Sequence, residues 1–144
     1  MGSIAVEELK KLIPNAVIVR RTVPGLKDIP VEMKILMKNE GCDAGIALGW
    51  VGPTLTDKIT YAVYSLALQL VQLEFEKHII DVTVHEDEAE CEEDLYRIAM
   101  DRVRKHVRNL VALLLEREKL SMFAGAGLRQ GRPDVGPIVV KKDG

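Results

Sequence analysis

The sequence contains few aromatic residues and little cysteine. Aromatic residues make up 4% of the 144 positions, with a single tryptophan at position 50, and the two cysteines, Cys42 and Cys91, stand far apart. Because they lack the spacing of metal ligands, these cysteines favour a reduced, cytoplasmic chain over a disulfide scaffold or a zinc module. The scarcity of aromatic residues makes Trp50 a position of interest.

Long apolar runs and an excess of one charge are also missing. The longest apolar stretch, residues 59–73, is interrupted by Thr, Ser and Gln, and is too short and too polar to span a bilayer. Glu7 and Glu8 fall where the apolar part of a signal peptide would lie. The net charge is −2 and the Lys and Arg residues are dispersed, which argues against nucleic acid or an anionic membrane as a partner.

Several common catalytic motifs are absent as well. The sequence has no P-loop, GxGxxG, GxSxG or HExxH pattern. This argues against a nucleotide hydrolase, a Rossmann dehydrogenase, a triad hydrolase and a zincin. The length fits one domain with a real core, so we predict a single domain over residues 1–144. Within it, residues 1–13 include the first helix and residues 125–144 form a C-terminal tail.

Hydrophobic periodicity predicts helices that alternate with strands. Helices are predicted over 3–13, from 28 to about 41, 56–77 and 92–118, with Ser3, Asp28 and Asp57 as caps and a broad apolar stripe along the third helix. Strands are predicted over 16–19, 45–48 and 79–84, with a further β-like run at 138–140. The alternation predicts an α/β fold, a three-layer α/β/α sandwich around a parallel sheet.

Residues 44–58, AGIALGWVGPTLTDK, join a buried strand to a helix through a Gly-Pro loop. Ligands of open α/β sheets bind at the carboxyl ends of the strands, so we expect this loop to form one wall of a small-molecule site. Trp50 is either a platform for a stacked ring or a plug over the core. Lys58 lies in the first helical turn, where a cation is unfavourable to the helix dipole, and this hints at a function.

Residues 23–30, VPGLKDIP, join another predicted strand to a helix. Such a turn offers free backbone N–H groups to a carbonyl or an anion. The alternative is that Pro24 and Gly25 only shape a tight connection, and the residues by themselves favour this alternative.

The sequence HEDE, residues 85–88, ends the third predicted strand. His85 exchanges protons near neutral pH, and we expect the adjacent carboxylates to raise its pKa. The segment is a candidate for acid–base or metal chemistry, or else a solvated acidic loop. The acidic residues over 86–94 attract Mg²⁺ in principle, but their spacing is not diagnostic. We interpret His78 and His106 as structural.

The spacing of these segments resembles a known family. TVPGLKDIPV (22–31), GCDAGIALGW (41–50) and TDK (56–58) are similar to the lumazine synthase pattern of VPGxxEIP, DAVIALGCV and TDH. KHIIDVTVHEDEAE (77–90) and AGAGLRQGRPDVGP (124–137) resemble the archaeal riboflavin synthases, a branch of the lumazine synthase superfamily. The resemblance extends from Ser3 to Pro137, and the combination of motifs is specific although no single motif is.

The resemblance implies a flavodoxin-like fold and a homopentamer with active sites between neighbouring subunits. It implies a dismutation of two 6,7-dimethyl-8-ribityllumazine molecules. One donates a four-carbon unit and becomes 5-amino-6-ribitylaminouracil, and the other becomes riboflavin. The archaeal enzymes are expected to use Mg²⁺, and no redox cofactor is needed.

This chemistry assigns a role to each candidate residue. His85 is expected to be the base on an acidic methyl group, with Glu86 orienting it or binding metal, while Lys58 stabilises negative charge on the ring. Stacking two substrates in reactive register would supply most of the catalysis. The expected substrate contacts are Ile29, Trp50 and Val51 on the ring and Pro24, Gly25 and Asp28 on polar atoms. The metal ligands are left open.

Lys58 departs from the lumazine synthase pattern, which has a proton-transferring His at this place. The departure favours the riboflavin synthase branch. Lumazine synthase activity, and a protein that binds flavin or lumazine without catalysis, are the alternatives.

The family also begins with a strand before the first helix, whereas here the helix starts at once. Three explanations account for the missing strand. The preferred one is that the start of the chain is misplaced. The others are that the strands near Val17 and Ile46 pair directly, or that residues 138–140 fill the gap. A gap would leave buried backbone groups unpaired. We therefore expect a form extended upstream to be more stable or more active, and thermal midpoints and turnover of the two forms test this.

Overall fold

The computed structural model describes residues 1–129 and 133–137. The described chain contains helices α1 (Gly2–Leu12), α2 (Ile29–Asn39), α3 (Leu55–Phe75), α4 (Glu92–Leu115) and α5 (Arg117–Phe123). It contains strands β1 (Gly45–Val51) and β2 (Ile79–His85), and short 3-10 turns at Leu26–Asp28 and Glu86–Glu88. The β-like run predicted at 138–140 lies outside the described residues.

The two strands pair in parallel, and their register decides where the site lies. Gly45 pairs with Ile79 and Val51 pairs with His85, so both strands start and end at the same level. The connection between them is α3, which is the βαβ arrangement that the alternating pattern predicts. The carboxyl end of β1 therefore lies directly beside the carboxyl end of β2.

Helices cover both faces of this sheet. On one face α1 and α4 pack on β2, with a core of Ala5, Val82, Val103 and Val107. On the other face α2 and α3 pack on the strands, and the core there consists of Met33, Leu36, Met37, Ala47, Tyr64, Leu68, Val71 and Ile79. The predicted α/β fold with three layers and a parallel sheet is confirmed.

The strand predicted over residues 16–19 does not form. Between α1 and α2 the chain has no helix or strand apart from the 3-10 turn, and Val17 is exposed. A β-branched run becomes a strand only where another strand satisfies its backbone groups, and in the described chain β1 pairs with β2 alone. The explanation that the segments near Val17 and Ile46 pair directly is therefore wrong.

A long groove lies along the unpaired edge of β1. Its volume is about 1330 Å³, and it is lined by α1, by the irregular segment before α2 and by one edge of β1. The unpaired edge of β1 and the irregular segment before α2 thus face each other across an open space.

Two of the three predicted helix caps differ from the structure. Ser3 lies inside α1, whose N-cap is Met1, whereas Asp28 is the N-cap of α2 as predicted, although its side chain makes no capping hydrogen bond. At α3 the cap is Thr54, whose hydroxyl accepts from the Asp57 N–H, while the Asp57 carboxylate accepts from the Thr54 N–H at 3.2 Å. Asp57 is thus the third residue of a capping box rather than the cap itself.

The predicted helix over 92–118 is also interrupted, because Glu116 leaves helical geometry between α4 and α5. Among the described residues, no helix is both long enough and apolar enough to cross a membrane.

Candidate active site

The candidate active site lies where β1, β2 and the N-terminus of α3 meet. The parallel register brings the end of β1, Trp50 and Val51, beside His85 at the end of β2. The capping box at Thr54 fixes the first turn of α3, so that Lys58 emerges toward His85 although 27 positions separate them in sequence. Residues of three elements are thereby collected at the carboxyl edge of the sheet, as the strand–loop–helix pattern predicts.

Lys58, His85 and Asp87 form one connected cluster. Lys58 Nζ lies 3.1 Å from His85 Nδ1 and 2.5 Å from Asp87 Oδ1. The side chain of Lys58 is 33% exposed and that of Asp87 is 50% exposed, so a ligand can reach both. An ammonium group has only donors, so His85 Nδ1 must accept from Lys58.

The surroundings of His85 fix the ring and its tautomer. The His85 side chain accepts a hydrogen bond from the Glu88 backbone N–H, and the His85 N–H donates to Glu88 Oε1 at 2.9 Å. The ring packs edge-on against Tyr61, with centroids 4.7 Å apart. Because Nδ1 accepts from Lys58, the neutral ring carries its proton on Nε2.

The pKa of His85 is lowered, and the expectation that it is raised is wrong. Burial of the ring is the largest cause, and the positive charge of Lys58 is the second. Glu88 and Asp87 act in the opposite direction but are outweighed. His85 is therefore neutral at pH 7, which the acidic sequence around it did not indicate.

We expect Lys58→Met to raise the pKa of His85. The substitution removes a cation from 3.1 Å while leaving the burial of the ring almost unchanged. An NMR titration of the imidazole signals measures this, and the three histidines of the chain make assignment simple. Lys34→Met is the matched control, because Lys34 pairs with Glu74 away from the site. An unchanged or lower His85 pKa in Lys58→Met contradicts the proposed contact.

Trp50 and Glu86 form a second pair at the same edge. Trp50 Nε1 donates to Glu86 Oε1 at 2.8 Å, and the indole is 45% exposed. Glu86 therefore holds the Trp50 ring. The residue that hydrogen-bonds to His85 and orients it is Glu88. A fixed and half-exposed indole at this edge of the sheet is suited to stacking against a flat ring.

Glu88 and Arg102 are the main residues that sequence reasoning missed. Arg102 extends from α4, donates to Thr83 O at 2.7 Å, and makes two hydrogen bonds to the Glu88 carboxylate. The side chain of Arg102 is only 10% exposed and that of Glu88 only 12%. Hydrogen bonds from Arg102 lower the pKa of Glu88 to about 2. The available signal was a charge at position 102 within the buried stripe of α4.

A buried polar network lies beneath the cluster. Tyr64 Oη donates to Asp81 Oδ1 at 3.1 Å, and Thr83 Oγ1 donates to the same oxygen at 2.5 Å. Burial raises the pKa of Tyr64, so the phenol stays protonated and remains a donor. The network ties α3 to β2 directly below His85.

The remaining predicted site residues are spread over the groove, the surface and the interior. Pro24, Gly25 and Ile29 line the groove together with Trp50, whereas Asp28 is exposed and is not part of the groove lining. Val51 is 1% exposed, so its side chain cannot contact a ring as predicted. His106, interpreted as structural, is partly buried and burial lowers its pKa.

The described residues do not form a metal centre. No group of three or more His, Cys, Asp and Glu side chains among them is placed to hold an ion. Each carboxylate next to His85 is already engaged, Glu86 by Trp50, Asp87 by Lys58 and Glu88 by Arg102. The donors present thus do not fit a resident Mg²⁺.

Comparison with known proteins places the chain in a family. The family model for 6,7-dimethyl-8-ribityllumazine synthase matches residues 1–117. The chain belongs to this family. The match includes β1, β2, α3 and the whole of α4, and so every residue of the Lys58 cluster.

Within the family, the chain is similar to several archaeal proteins named riboflavin synthase. It is 53% identical to that of Archaeoglobus fulgidus over 141 residues, covering 96% of this chain and 90% of the relative. It is 52% identical to the Aeropyrum pernix protein, covering 96% of this chain and 89% of the relative. It is 46% identical to the Methanothermobacter marburgensis protein, covering 96% of this chain and 90% of the relative. The suspected family resemblance is confirmed.

Proposed function

We propose that this chain is a riboflavin synthase, a transferase that converts two molecules of 6,7-dimethyl-8-ribityllumazine into riboflavin and 5-amino-6-ribitylaminouracil. The observation that carries the proposal is the Lys58–His85–Asp87 cluster at the joined carboxyl ends of two parallel strands. The cluster offers a cation and a neutral imidazole, and the half-exposed indole of Trp50 lies at the same edge of the sheet. The archaeal relatives named riboflavin synthase support the same function.

Lys58 and His85 act as a pair in this proposal. On binding, Lys58 turns from His85 Nδ1 to the substrate ring, where its charge stabilises the anion that forms when a methyl proton leaves. The neutral His85 then accepts that proton on its unprotonated ring nitrogen, which gives up the hydrogen bonds that it accepts from Lys58 and from the Glu88 backbone N–H. Asp87 positions Lys58 through their ion pair, and Glu88 holds the backbone of His85 in place.

Trp50 and the groove supply binding. The indole, held by Glu86, stacks on one pteridine ring, and Ile29, Pro24 and Gly25 form the opposite wall toward the groove. Asp28 is proposed to bind polar atoms of the ribityl chain or of the pyrimidine ring. Alignment of two substrates in this space provides the greater part of the rate enhancement.

Magnesium dependence, assembly and location complete the proposal. A Mg²⁺ requirement is proposed from the family, but no step is assigned to the ion because the carboxylates next to His85 are already paired. A homo-oligomer is proposed because a broad apolar surface of α3 is left uncovered, and a pentamer is proposed from the family resemblance. A cytoplasmic location is proposed because Cys42 and Cys91 are free thiols.

Incubation of the purified protein with 6,7-dimethyl-8-ribityllumazine, with and without Mg²⁺, tests the function. The expected result is growth of riboflavin absorbance without any sugar phosphate. Turnover only with 5-amino-6-ribitylaminouracil and 3,4-dihydroxy-2-butanone 4-phosphate would identify a lumazine synthase instead. Binding without product would identify a non-catalytic flavin- or lumazine-binding protein, and would overturn the proposal.

A further inference from the structure

Tyr61 is an aromatic residue beside the site that has no role in the proposed reaction. It lies on α3 three residues after Lys58, so both side chains project from the same side of the helix. Its ring centroid is 4.7 Å from that of His85, and the two ring planes meet at 84°. An edge-to-face contact at this separation is a favoured arrangement of two aromatic rings. Tyr61 therefore contacts the imidazole directly from α3.

The Tyr61 ring is itself held in place by the interior of the protein. It is partly buried and packs against the core cluster between α3 and the sheet. Its centroid lies 6.0 Å from that of Tyr64, which is fully buried and donates a hydrogen bond to Asp81. Burial and the charge of the Asp81 carboxylate raise the pKa of Tyr61, so its phenol stays neutral at pH 7. The contact with His85 thus comes from a fixed and uncharged side chain.

The hydrogen bonds to the His85 ring depend on its protonation state. Lys58 and the Glu88 backbone N–H both donate to the ring. In the proposed reaction Lys58 turns to the substrate, and the arriving proton converts the accepting nitrogen into a donor. The Glu88 carboxylate still accepts from the His85 backbone N–H, but this bond does not restrain rotation of the imidazole. The contact with Tyr61 needs no particular protonation state.

We propose that Tyr61 is a positioning residue for His85, whose aromatic ring holds the imidazole in one orientation before and after it accepts the proton. The contact persists in the charged state, because an aromatic ring also attracts a neighbouring cation. Only the ring of Tyr61 is required for this role, and no substrate contact is assigned to it. The inference rests on the proposed function for the proton transfer, but the fixed orientation of the imidazole is measurable without turnover.

NMR of the imidazole signals tests the contact. Because an aromatic ring shifts the signals of protons close to it, Tyr61 is expected to shift the chemical shifts of the His85 ring. Tyr61→Phe keeps the aromatic ring and is expected to retain these shifted signals. Tyr61→Leu removes the ring and is expected to lose them. The signals of His78, which precedes β2, are the internal reference and are expected to stay unchanged in both variants.

Steady-state turnover of 6,7-dimethyl-8-ribityllumazine tests the role. Tyr61→Leu is expected to lower kcat by about 10- to 100-fold with little change in KM, because a misplaced base is seldom in reactive geometry. Tyr61→Phe is expected to restore nearly wild-type kcat. Phe75→Leu is the matched control, since it removes a partly buried aromatic ring about 21 Å further along the same helix. It is expected to keep the wild-type kcat and His85 signals.

Unchanged His85 signals or wild-type kcat in Tyr61→Leu would overturn the inference. So would a Tyr61→Phe variant as slow as Tyr61→Leu, because the hydroxyl would then be the required group. If Tyr61→Leu fails to fold, Tyr61→Met decides, since its flexible side chain fills the same space without a ring. A wild type that shows the shifted His85 signals, lost in Tyr61→Leu, but forms no riboflavin would overturn the proposed function and leave the contact intact.

Discussion

Replacing Lys58 with methionine is expected to lower kcat for riboflavin formation by about 100-fold or more, with a much smaller change in KM. Loss of one group that stabilises an anionic transition state typically costs about 100- to 1,000-fold in kcat. Lys58 is assigned that role because its ammonium group reaches His85 Nδ1 and remains partly exposed to a ligand. The measurement is steady-state turnover of 6,7-dimethyl-8-ribityllumazine, with substrate binding followed separately by fluorescence titration.

The control for this prediction is Lys34→Met, which removes an equally charged residue from a surface ion pair with Glu74. Its turnover is expected to match the wild type. His85→Ala is expected to lower kcat by about 100-fold or more through loss of the proton acceptor. Since the two residues act as a pair, the double variant is expected to be no slower than the worse single variant. Near-wild-type turnover in both single variants would remove the assigned site and leave the fold unaffected.

Replacing Arg102 with methionine is expected to reduce the free energy of unfolding by about 3–5 kcal/mol, because it leaves the Glu88 carboxylate buried without its partner. The substitution also removes the hydrogen bond that Arg102 donates to Thr83 O, so the end of β2 is no longer held by α4. Urea unfolding followed by circular dichroism measures the change. Because Glu88 holds the His85 backbone, turnover should fall as well.

Arg97→Met is the matched control for this substitution. Arg97 lies on the same helix and pairs with Asp94, but its side chain is 78% exposed, and exposed ion pairs contribute only about 0–1 kcal/mol. The double variant Arg102→Met/Glu88→Met is expected to be more stable than Arg102→Met, since it leaves no unpaired buried charge. Equal stabilities of Arg102→Met and Arg97→Met would contradict the assigned role.

The same pair determines part of the acid stability. The pKa of Glu88 is about 2 in the folded chain against 4.5 as its ordinary value, so its ionised form stabilises the fold above pH 4.5. That contribution is lost progressively as the pH falls from 4.5 through about 2. In Arg102→Met the pKa of Glu88 should rise, and stability should fall less steeply over this interval.

Most of the local structure could be predicted from the sequence. Apolar periodicity placed α1, α3 and the start of α4 within one or two residues, because helices depend mainly on side chains three and four positions apart. The prediction of a strand over residues 16–19 was wrong because a strand also needs a partner strand, and β-branched composition does not show whether one is present. The run of aliphatic residues in α3 was evident, but not which of them the chain itself covers.

Part of the site was also predictable. The sequence by itself singled out Lys58, His85 and Trp50, since a lysine in a first helical turn, a histidine at a strand end and a lone tryptophan in a loop are all unusual locally. These judgements needed no knowledge of distant neighbours. The role of Glu88 and the lowered pKa of His85 did need it, because both depend on groups that approach from another element.

The sequence by itself therefore determined the α/β alternation, the approximate helix positions and the choice of candidate site residues, because each is encoded in neighbouring positions. Only the tertiary structure decided that Lys58 meets His85, that Arg102 neutralises Glu88, and that one row of aliphatic side chains of α3 faces outward. These depend on the register of β1 against β2 and on the packing of α3 and α4 across the sheet. The physical reason is that burial and electrostatic pairing depend on distances in space, which the order of residues does not fix.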